Sequence, residues 1–166
     1  TDEIVLTNIQ ALDGSITVTA GGALTALQGT SQTDSDTNDI SLTTIAGSIA
    51  AGAISAGLGD RGDVLLRSAV QLTDLPGNIT ADGLEATSAG AIQLDTSVNS
   101  LTANTTAAGE IVIAEADGLL LNSVQSANGA ISVTADGQLT ATSIVSLTDA
   151  EANDILLRST AADIQV

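Results

Sequence analysis

Residues 14–26 read GSITVTAGGALTA, and residues 129–141 read GAISVTADGQLTA. In both segments apolar residues alternate with small polar ones, and a second short apolar stretch follows a glycine. Alternation with a period of two is typical of a β-strand that buries one face, and glycine favours a turn. Each segment therefore predicts two short strands joined by a turn.

The two segments belong to a longer internal repeat. Displacing the sequence by 115 residues aligns residues 1–51 with residues 116–166 without a gap, and 21 of the 51 positions are then identical. We predict that residues 1–166 form a single β-solenoid segment with a 115-residue super-repeat. Residues 160–166 stop where residues 45–51 continue, so we expect a window of a longer tandem array or a unit that stacks end to end.

Strand-like segments of the same type recur along the whole chain. They begin near positions 14, 38, 62, 90, 109, 129 and 153. Repeats with this spacing indicate a solenoid rather than a β-sandwich. We predict an all-β parallel β-helix of about 7–8 coils of roughly 19–28 residues. The longest interval contains a further strand start, GNITADGLEAT (77–87), so two short coils are an alternative there.

The composition is that of a thin core. The chain has no Cys, Met, His, Lys, Phe, Tyr or Trp, so its apolar residues are Ala, Val, Ile and Leu. Compact globular domains use aromatic rings to fill a thick interior, whereas branched aliphatic side chains fill a narrow coil. The abundance of Ile, Val and Leu argues against disorder. No apolar run approaches the ~20 residues of a transmembrane helix.

The charge limits the partners and the chemistry. Twenty acidic residues face three arginines, which gives a formal net charge of −17. Nucleic acid and anionic membranes would be repelled, so we predict neither a nucleic-acid partner nor membrane insertion. The expected partners are cations, copies of the chain that associate end to end or laterally into fibres, or a host or surface ligand.

The residue types favour a non-catalytic protein. Without His, Cys, Lys or Tyr, only carboxylates could act as general acids or bases, and no aromatic ring is present to stack on a sugar. The acidic residues are distributed over the repeats rather than concentrated in one segment. We predict no enzymatic activity, no catalytic residue and no required cofactor.

One acidic segment and its repeat suit a cation. TDSDTNDI (33–40) and TDAEANDI (148–155) carry carboxylate and amide oxygens at corresponding positions. Ca²⁺ prefers six or more oxygen ligands, so one interpretation is a calcium site and the other is an acidic, solvated turn. The candidate ligands are Asp34, Asp36, Asn38, Asp39, Asp149, Glu151, Asn153 and Asp154.

A second candidate lies in GLGDRGDV (57–64). Arg61, Gly62 and Asp63 form the Arg-Gly-Asp tripeptide that integrins recognise, which would make this segment a receptor-binding site. The alternative is a simple turn before the strand that begins at Val64.

Three segments resemble the repeats of filamentous-haemagglutinin-type adhesins and other giant bacterial β-helix surface proteins: GSITVTAGGALTA (14–26), GDVLLRSA (62–69) and NDILLRSTAADIQV (153–166). Those repeats run Gly-x-Ile-x-Val-x-x-x-Gly-x-Leu-x-Ala, and the resemblance covers most of the chain. It implies a right-handed, extracellular β-helix and assigns no catalytic residue. The functional hypothesis is a structural shaft or filament-forming segment of an extracellular fibre or giant surface protein. An adhesin module for a cell surface or glycan and a calcium-responsive repeat are the alternatives.

Overall fold

Parallel strands stack into a solenoid of about seven turns in the computed structural model, which describes residues 2–33, 36, 39–57 and 61–166. The prediction of an all-β parallel β-helix is confirmed. No helix in these described ranges is long and apolar enough to cross a membrane. The strands are β1 (Ile4–Leu6), β2 (Ile9–Ala11), β3 (Ile16–Ala20), β4 (Leu24–Ser31), β5 (Ile40–Thr44), β6 (Ile49–Ala56), β7 (Val64–Ser68), β8 (Leu72–Asp74), β9 (Ile79–Ser88), β10 (Ile92–Ala108), β11 (Ile111–Glu115), β12 (Leu119–Asn128), β13 (Ile131–Ala135), β14 (Leu139–Ala141), β15 (Ile144–Ser146), β16 (Ile155–Ser159) and β17 (Ile164–Gln165).

Residues that pair across successive coils form three columns along the solenoid. The first column contains Ile16, Ile40, Val64, Leu84, Leu101, Leu121 and Ala141. The second column contains Ile4, Leu24, Ile49, Leu72, Ile92, Ile111, Ile131 and Ile155. The third column contains Ile9, Gly29, Ile54, Ile79, Thr96, Glu115, Ala135 and Ser159.

The core is built from these columns of inward-facing aliphatic side chains. Ile40, Ile49 and Ile92 have no exposed surface, and the residues between inward positions point outward. Burying one such side chain contributes about 1.5–3 kcal/mol. Each coil lies ~4.8 Å from the next, so paired residues of successive coils stack directly, and in the second column all of them are Ile or Leu. Small branched residues therefore fill the interior without aromatic rings.

Buried hydroxyl groups close one corner of the coil, a feature that the sequence analysis missed. Ser68 ends its strand facing inward and donates to the main-chain oxygen of Gln71 at 2.8 Å. Ser88 donates to the oxygen of Val70 at 3.2 Å, and Ser126 donates to that of Gly109 at 3.0 Å. These side chains supply a further donor to corner carbonyls, of which Gln71 and Val70 also accept from the N–H of Ile49 and Gly90.

The coils are shorter than the longest predicted interval. The steps within the three columns run from 17 residues (Ile79 to Thr96) to 25 residues (Ile54 to Ile79), so the coils extend below the predicted range of roughly 19–28 residues and do not reach its upper end. Val64 and Ile92 begin the strands that bound that interval, but they lie in different columns. Val64 pairs with Leu84 and Leu72 pairs with Ile92, in each case on the next coil. The long interval is thus one coil plus the step from the first column to the second.

The strands exchange columns at this point, and we call this change the column exchange. Before it, the five-residue strands β3, β5 and β7 lie in the first column, and the longer strands β4 and β6 span the second and third. After it, the five-residue strands β11, β13 and β16 begin in the second column and end in the third. The longer strands β9 and β12 then occupy the first column.

The two copies of the repeat nevertheless pair their strands in the same way. Ile16 pairs with Ile40 in the first copy. Ile131 pairs with Ile155 in the second copy, which is the same relation displaced by 115 residues. The pairings of β1 with β4 and of β12 with β14 match in the same way. The equivalent strands of the two copies belong to different columns.

Side-chain hydrogen bonds repeat as well. Ser31 donates to the main-chain oxygen of Gly14 at 3.1 Å, and Ser146 donates to that of Gly129 at the same distance. Thr33 and its equivalent Thr148 each bond a main-chain oxygen at 2.8 Å. Local geometry therefore follows the local sequence in both copies.

Candidate functional site: an acidic groove along the first column

A groove of about 450 Å³ runs along the outer surface of the first-column strands. Its floor consists of outward residues that pair from coil to coil. A second row, two residues earlier along the chain, forms its wall. The floor is Thr17, Ser41, Leu65, Glu85 and Thr102, and the wall is Ser15, Asp39, Asp63, Gly83 and Ser100. The groove is therefore lined mainly by hydroxyl and carboxylate groups.

Two carboxylates of the wall are held by main-chain donors of the next coil. The N–H of Asp63 donates to Asp39 Oδ1 at 3.2 Å, and the N–H of Gly83 donates to Asp63 Oδ1 at 2.9 Å. An added Cβ at Gly83 would lie 2.7 Å from Asp63 Oδ1. A larger residue at position 83 would therefore displace the Asp63 carboxylate.

The electrostatics of this corner oppose ionisation of Asp63. Partial burial raises the pKa of Asp63, and the hydrogen bond from Gly83 lowers it. The negative charges of Asp39, Asp82 and Asp36 raise it further. The groove thus concentrates negative charge, and a positively charged or hydroxyl-bearing ligand would complement it.

The predicted receptor-binding tripeptide lies beside this groove. Arg61 is exposed, whereas Gly62 is buried. A Cβ at Gly62 would overlap the main-chain oxygen of Ala56, and the Gly62 oxygen accepts a hydrogen bond from the N–H of Asp82 at 2.9 Å. Gly62 therefore has a structural role in the stack, and receptor binding by Arg61, Gly62 and Asp63 stays a prediction.

The first predicted calcium segment is only partly within the described residues. Asp34 and Asn38 lie outside them. Asp36 is exposed, and Asp39 belongs to the groove wall next to Asp63. The structure thus brings one residue of the calcium hypothesis together with one residue of the receptor-binding hypothesis, which were 24 residues apart in the sequence.

The second predicted calcium segment forms an exposed turn. Asp149, Glu151 and Asp154 are exposed, and Asn153 Nδ2 donates to Asn128 Oδ1 at 2.9 Å and to the oxygen of Thr148 at 2.8 Å. Within the described ranges, no group of three acidic residues is arranged to hold a metal ion.

The calcium hypothesis therefore stays a prediction. It predicts that Ca²⁺ binds with measurable heat in a titration at constant ionic strength. It also predicts that Asp149→Asn combined with Asp154→Asn weakens that binding. A heat signal that NaCl reproduces at the same ionic strength would contradict a specific site.

The strands that flank the two acidic segments lie in different columns because of the column exchange. The first segment follows Ser31 of the third-column strand and precedes Ile40 of the first column. The second follows Ser146 of a first-column strand and precedes Ile155 of the second column. The ends of the two equivalent segments therefore lie at different places around the rod.

Glu115 is a further unusual residue that the sequence analysis did not identify. It is 3% exposed, and among the residues that the structure describes it is the only buried ionisable side chain. The alternation of IVIAE (111–115) places it on the same side as Ile111 and Ile113, so the inward position was readable from the sequence. The column exchange, by contrast, had no such local signal.

Searches of known protein families, curated proteins and solved structures find no match to this chain. The parallel solenoid of about seven turns is compatible with a β-helix repeat protein.

Proposed function

We propose that this chain is a non-catalytic structural segment, a shaft or filament-forming part of an extracellular bacterial fibre or giant surface protein. The observation that carries the proposal is the repeated strand register. Residues 1–51 and 116–166 use the same pairings and the same corner hydrogen bonds. A unit that reproduces its own coil geometry in each copy can extend a rod by repetition.

The surface supports the same role. Stacked parallel strands bury the apolar columns and leave a side surface that carries carboxylates and hydroxyl groups together with exposed aliphatic side chains such as Leu12 and Ile45. A net charge of −17 keeps such rods soluble and apart at low ionic strength. Lateral association into fibres would therefore strengthen as salt screens this repulsion. The resemblance to filamentous-haemagglutinin-type repeats supplies the extracellular and bacterial parts of the proposal.

The test is to lengthen the rod by one repeat. Val166 corresponds to Ala51, so a further copy of residues 52–166 appended after Val166 continues the repeat in register. Small-angle X-ray scattering should show the longest dimension increasing by about 25 Å, roughly five coil spacings, at an unchanged cross-section. A wider particle of unchanged length would refute the proposal.

A matched control separates repetition from mere added mass. In the control, the copy appended after Val166 starts at residue 64 instead of residue 52. The five-residue strand β7 then follows at the place where the rest of the longer strand β6 is needed. We expect this extension to add disordered mass without lengthening the ordered rod. Equal lengthening by both extensions would show that register does not matter.

The groove favours a second candidate function, an adhesin module that binds a surface glycan. Its hydroxyl and carboxylate lining can hydrogen-bond sugar hydroxyl groups, and Leu65 offers an apolar surface on the floor. Immobilised glycans are the probe. Saturable binding should be lost in Asp63→Asn combined with Leu65→Asp and kept in Asp95→Asn, a change of an exposed carboxylate that does not line the groove. Binding that survives the double variant would exclude the groove.

A further inference from the structure

Glu115 lies where the other five-residue strands carry small or hydroxyl residues. Each of these strands ends on an inward-facing position. The corresponding residues are Ala20, Thr44, Ser68, Ala135 and Ser159. Only in β11 does a carboxyl group occupy this place, and it is buried to 3% exposure. A buried carboxyl group costs free energy unless its surroundings compensate it, so its partners decide what it does.

The main-chain ladder is interrupted beside Glu115. Pairing of β10 with β11 ends at Thr96 and Glu115, and pairing of β10 with β12 begins at Ser100. Elsewhere in this ladder a strand N–H donates to a main-chain oxygen of the next coil, as Ile92 does to Glu110 at 2.9 Å. Val98 falls in the gap between the two pairings.

The Glu115 carboxyl group bridges this gap. The N–H of Val98 donates to both of its oxygens at 3.2 Å, and Thr96 Oγ1 lies 2.7 Å from Oε2. The N–H of Asp117 donates to Oε1 at 3.3 Å. One side chain thus replaces the missing main-chain acceptor and joins two consecutive coils.

No positive charge accompanies this group within the described part of the chain. Thr96 pairs with Ile79 on the preceding coil, and Glu115 pairs with Ala135 on the following coil. The facing ionisable group is the carboxyl of Asp117. Asp136, which follows Ala135, instead accepts a hydrogen bond from Thr160.

Burial raises the pKa of Glu115 to about 7. The donors Thr96 and Val98 lower this pKa, and the Asp117 carboxyl raises it.

We propose that Glu115 is a proton-controlled lock between consecutive coils: protonated, it seals the gap in the ladder, and ionised, it loosens the middle of the rod. In the protonated state the carboxyl oxygens still accept from Val98 and Asp117, and the acid proton is shared with a neighbouring oxygen. Ionisation places a charge in an apolar column without a neighbouring cation among the described residues, and the hydrogen-bond donors offset the cost of burying it only in part. The inference concerns local opening and does not depend on the proposed function.

The direction with pH follows from the raised pKa. The folded value, about 7, exceeds the ordinary value of 4.5, so protonated Glu115 is favoured in the fold. Its contribution to stability is fully present below pH 4.5 and is lost as the pH rises through 7. Opening of the middle coils should therefore increase as the pH rises from 4.5 through 7 and level off above it.

The test measures amide hydrogen exchange by NMR between pH 5.5 and pH 8, expressed as protection factors so that base catalysis of exchange cancels. The protection of the Val98 amide should fall by about tenfold over this range. The Ile49 amide, which donates to Gln71 far from the gap, should keep its protection in the same samples. Unchanged or rising protection at Val98 would overturn the proposal.

Two variants and one direct observation complete the test. Glu115→Gln should make the protection of Val98 independent of pH within about twofold. Glu110→Gln, a change of an exposed carboxyl that bonds Gln93, should keep the wild-type fall. An equal fall in Glu115→Gln would overturn the lock. If that variant does not fold, the carboxyl ¹³C shift of Glu115 in the wild type decides: titration near pH 7 supports the proposal, and titration below pH 5 overturns it.

Discussion

Residues 1–51 and residues 116–166 pair their strands in the same register but place them in different columns of the solenoid. Ile16 begins a strand of the first column, and its equivalent Ile131 lies in the second. Register is thus a local property, set by alternation and by the turns that end each strand. The column in which a strand lies depends on the total number of residues in the coils between the two copies, and local sequence does not encode that number.

The largest difference between the copies should appear in the core. Ile40 has no exposed surface because Val64 covers it, whereas its equivalent Ile155 is 46% exposed. Ile40→Ala should lower the free energy of unfolding by about 3 kcal/mol, since it leaves a cavity. Ile155→Ala should cost less than about 1 kcal/mol. Urea unfolding followed by far-ultraviolet circular dichroism measures both, and equal losses would contradict the description of the second copy.

The overall fold was predictable because its signals are short-ranged. Alternation in segments such as ITVTA (16–20) and ISVTA (131–135) defines the strands, and the regular recurrence of such segments along the chain defines the coil. The column exchange was not predictable, since the interval from Val64 to Ile92 reads as one long coil until the pairing with Leu72 and Leu84 is known. For the same reason the groove, which depends on which strands stack, could not be assembled from the sequence.

The next largest contrast concerns two glycines at equivalent positions of the repeat, which are needed for different reasons. Gly14 has a φ of +125° and no atom near an added Cβ, whereas a Cβ on its equivalent Gly129 would overlap the main-chain carbonyl of Gly109. Gly14→Ala should cost about 1 kcal/mol through backbone strain. Gly129→Ala should cost about 2–3 kcal/mol, because the neighbouring coil must move. Thermal unfolding of the two variants checks the order, and a larger cost at Gly14 would reverse the argument.

The pH dependence distinguishes the middle of the rod from both copies. The other five-residue strands end in neutral residues such as Ala20 and Ala135, and only β11 ends in a buried carboxyl group. Between pH 5 and pH 8 the raised pKa of Glu115 should lower the free energy of unfolding by about 2 kcal/mol. Glu115→Gln should remove most of this slope. If the slope is unchanged in Glu115→Gln, the exposed carboxylates are its source instead.

The smallest contrast uses two hydrogen bonds of equal length in different surroundings. Ser31 and Ser146 donate to Gly14 and Gly129 at 3.1 Å, but Ser31 has no exposed surface and Ser146 is half-buried. Water cannot readily replace the fully buried hydroxyl of Ser31, whereas it can replace the half-buried hydroxyl of Ser146. Ser31→Ala should therefore cost about 1 kcal/mol and Ser146→Ala less than about 0.5 kcal/mol. Equal losses of stability in urea unfolding would mean that the geometry of each hydrogen bond alone sets its contribution. The burial of Ser31 would then add nothing to the stability that its hydrogen bond provides.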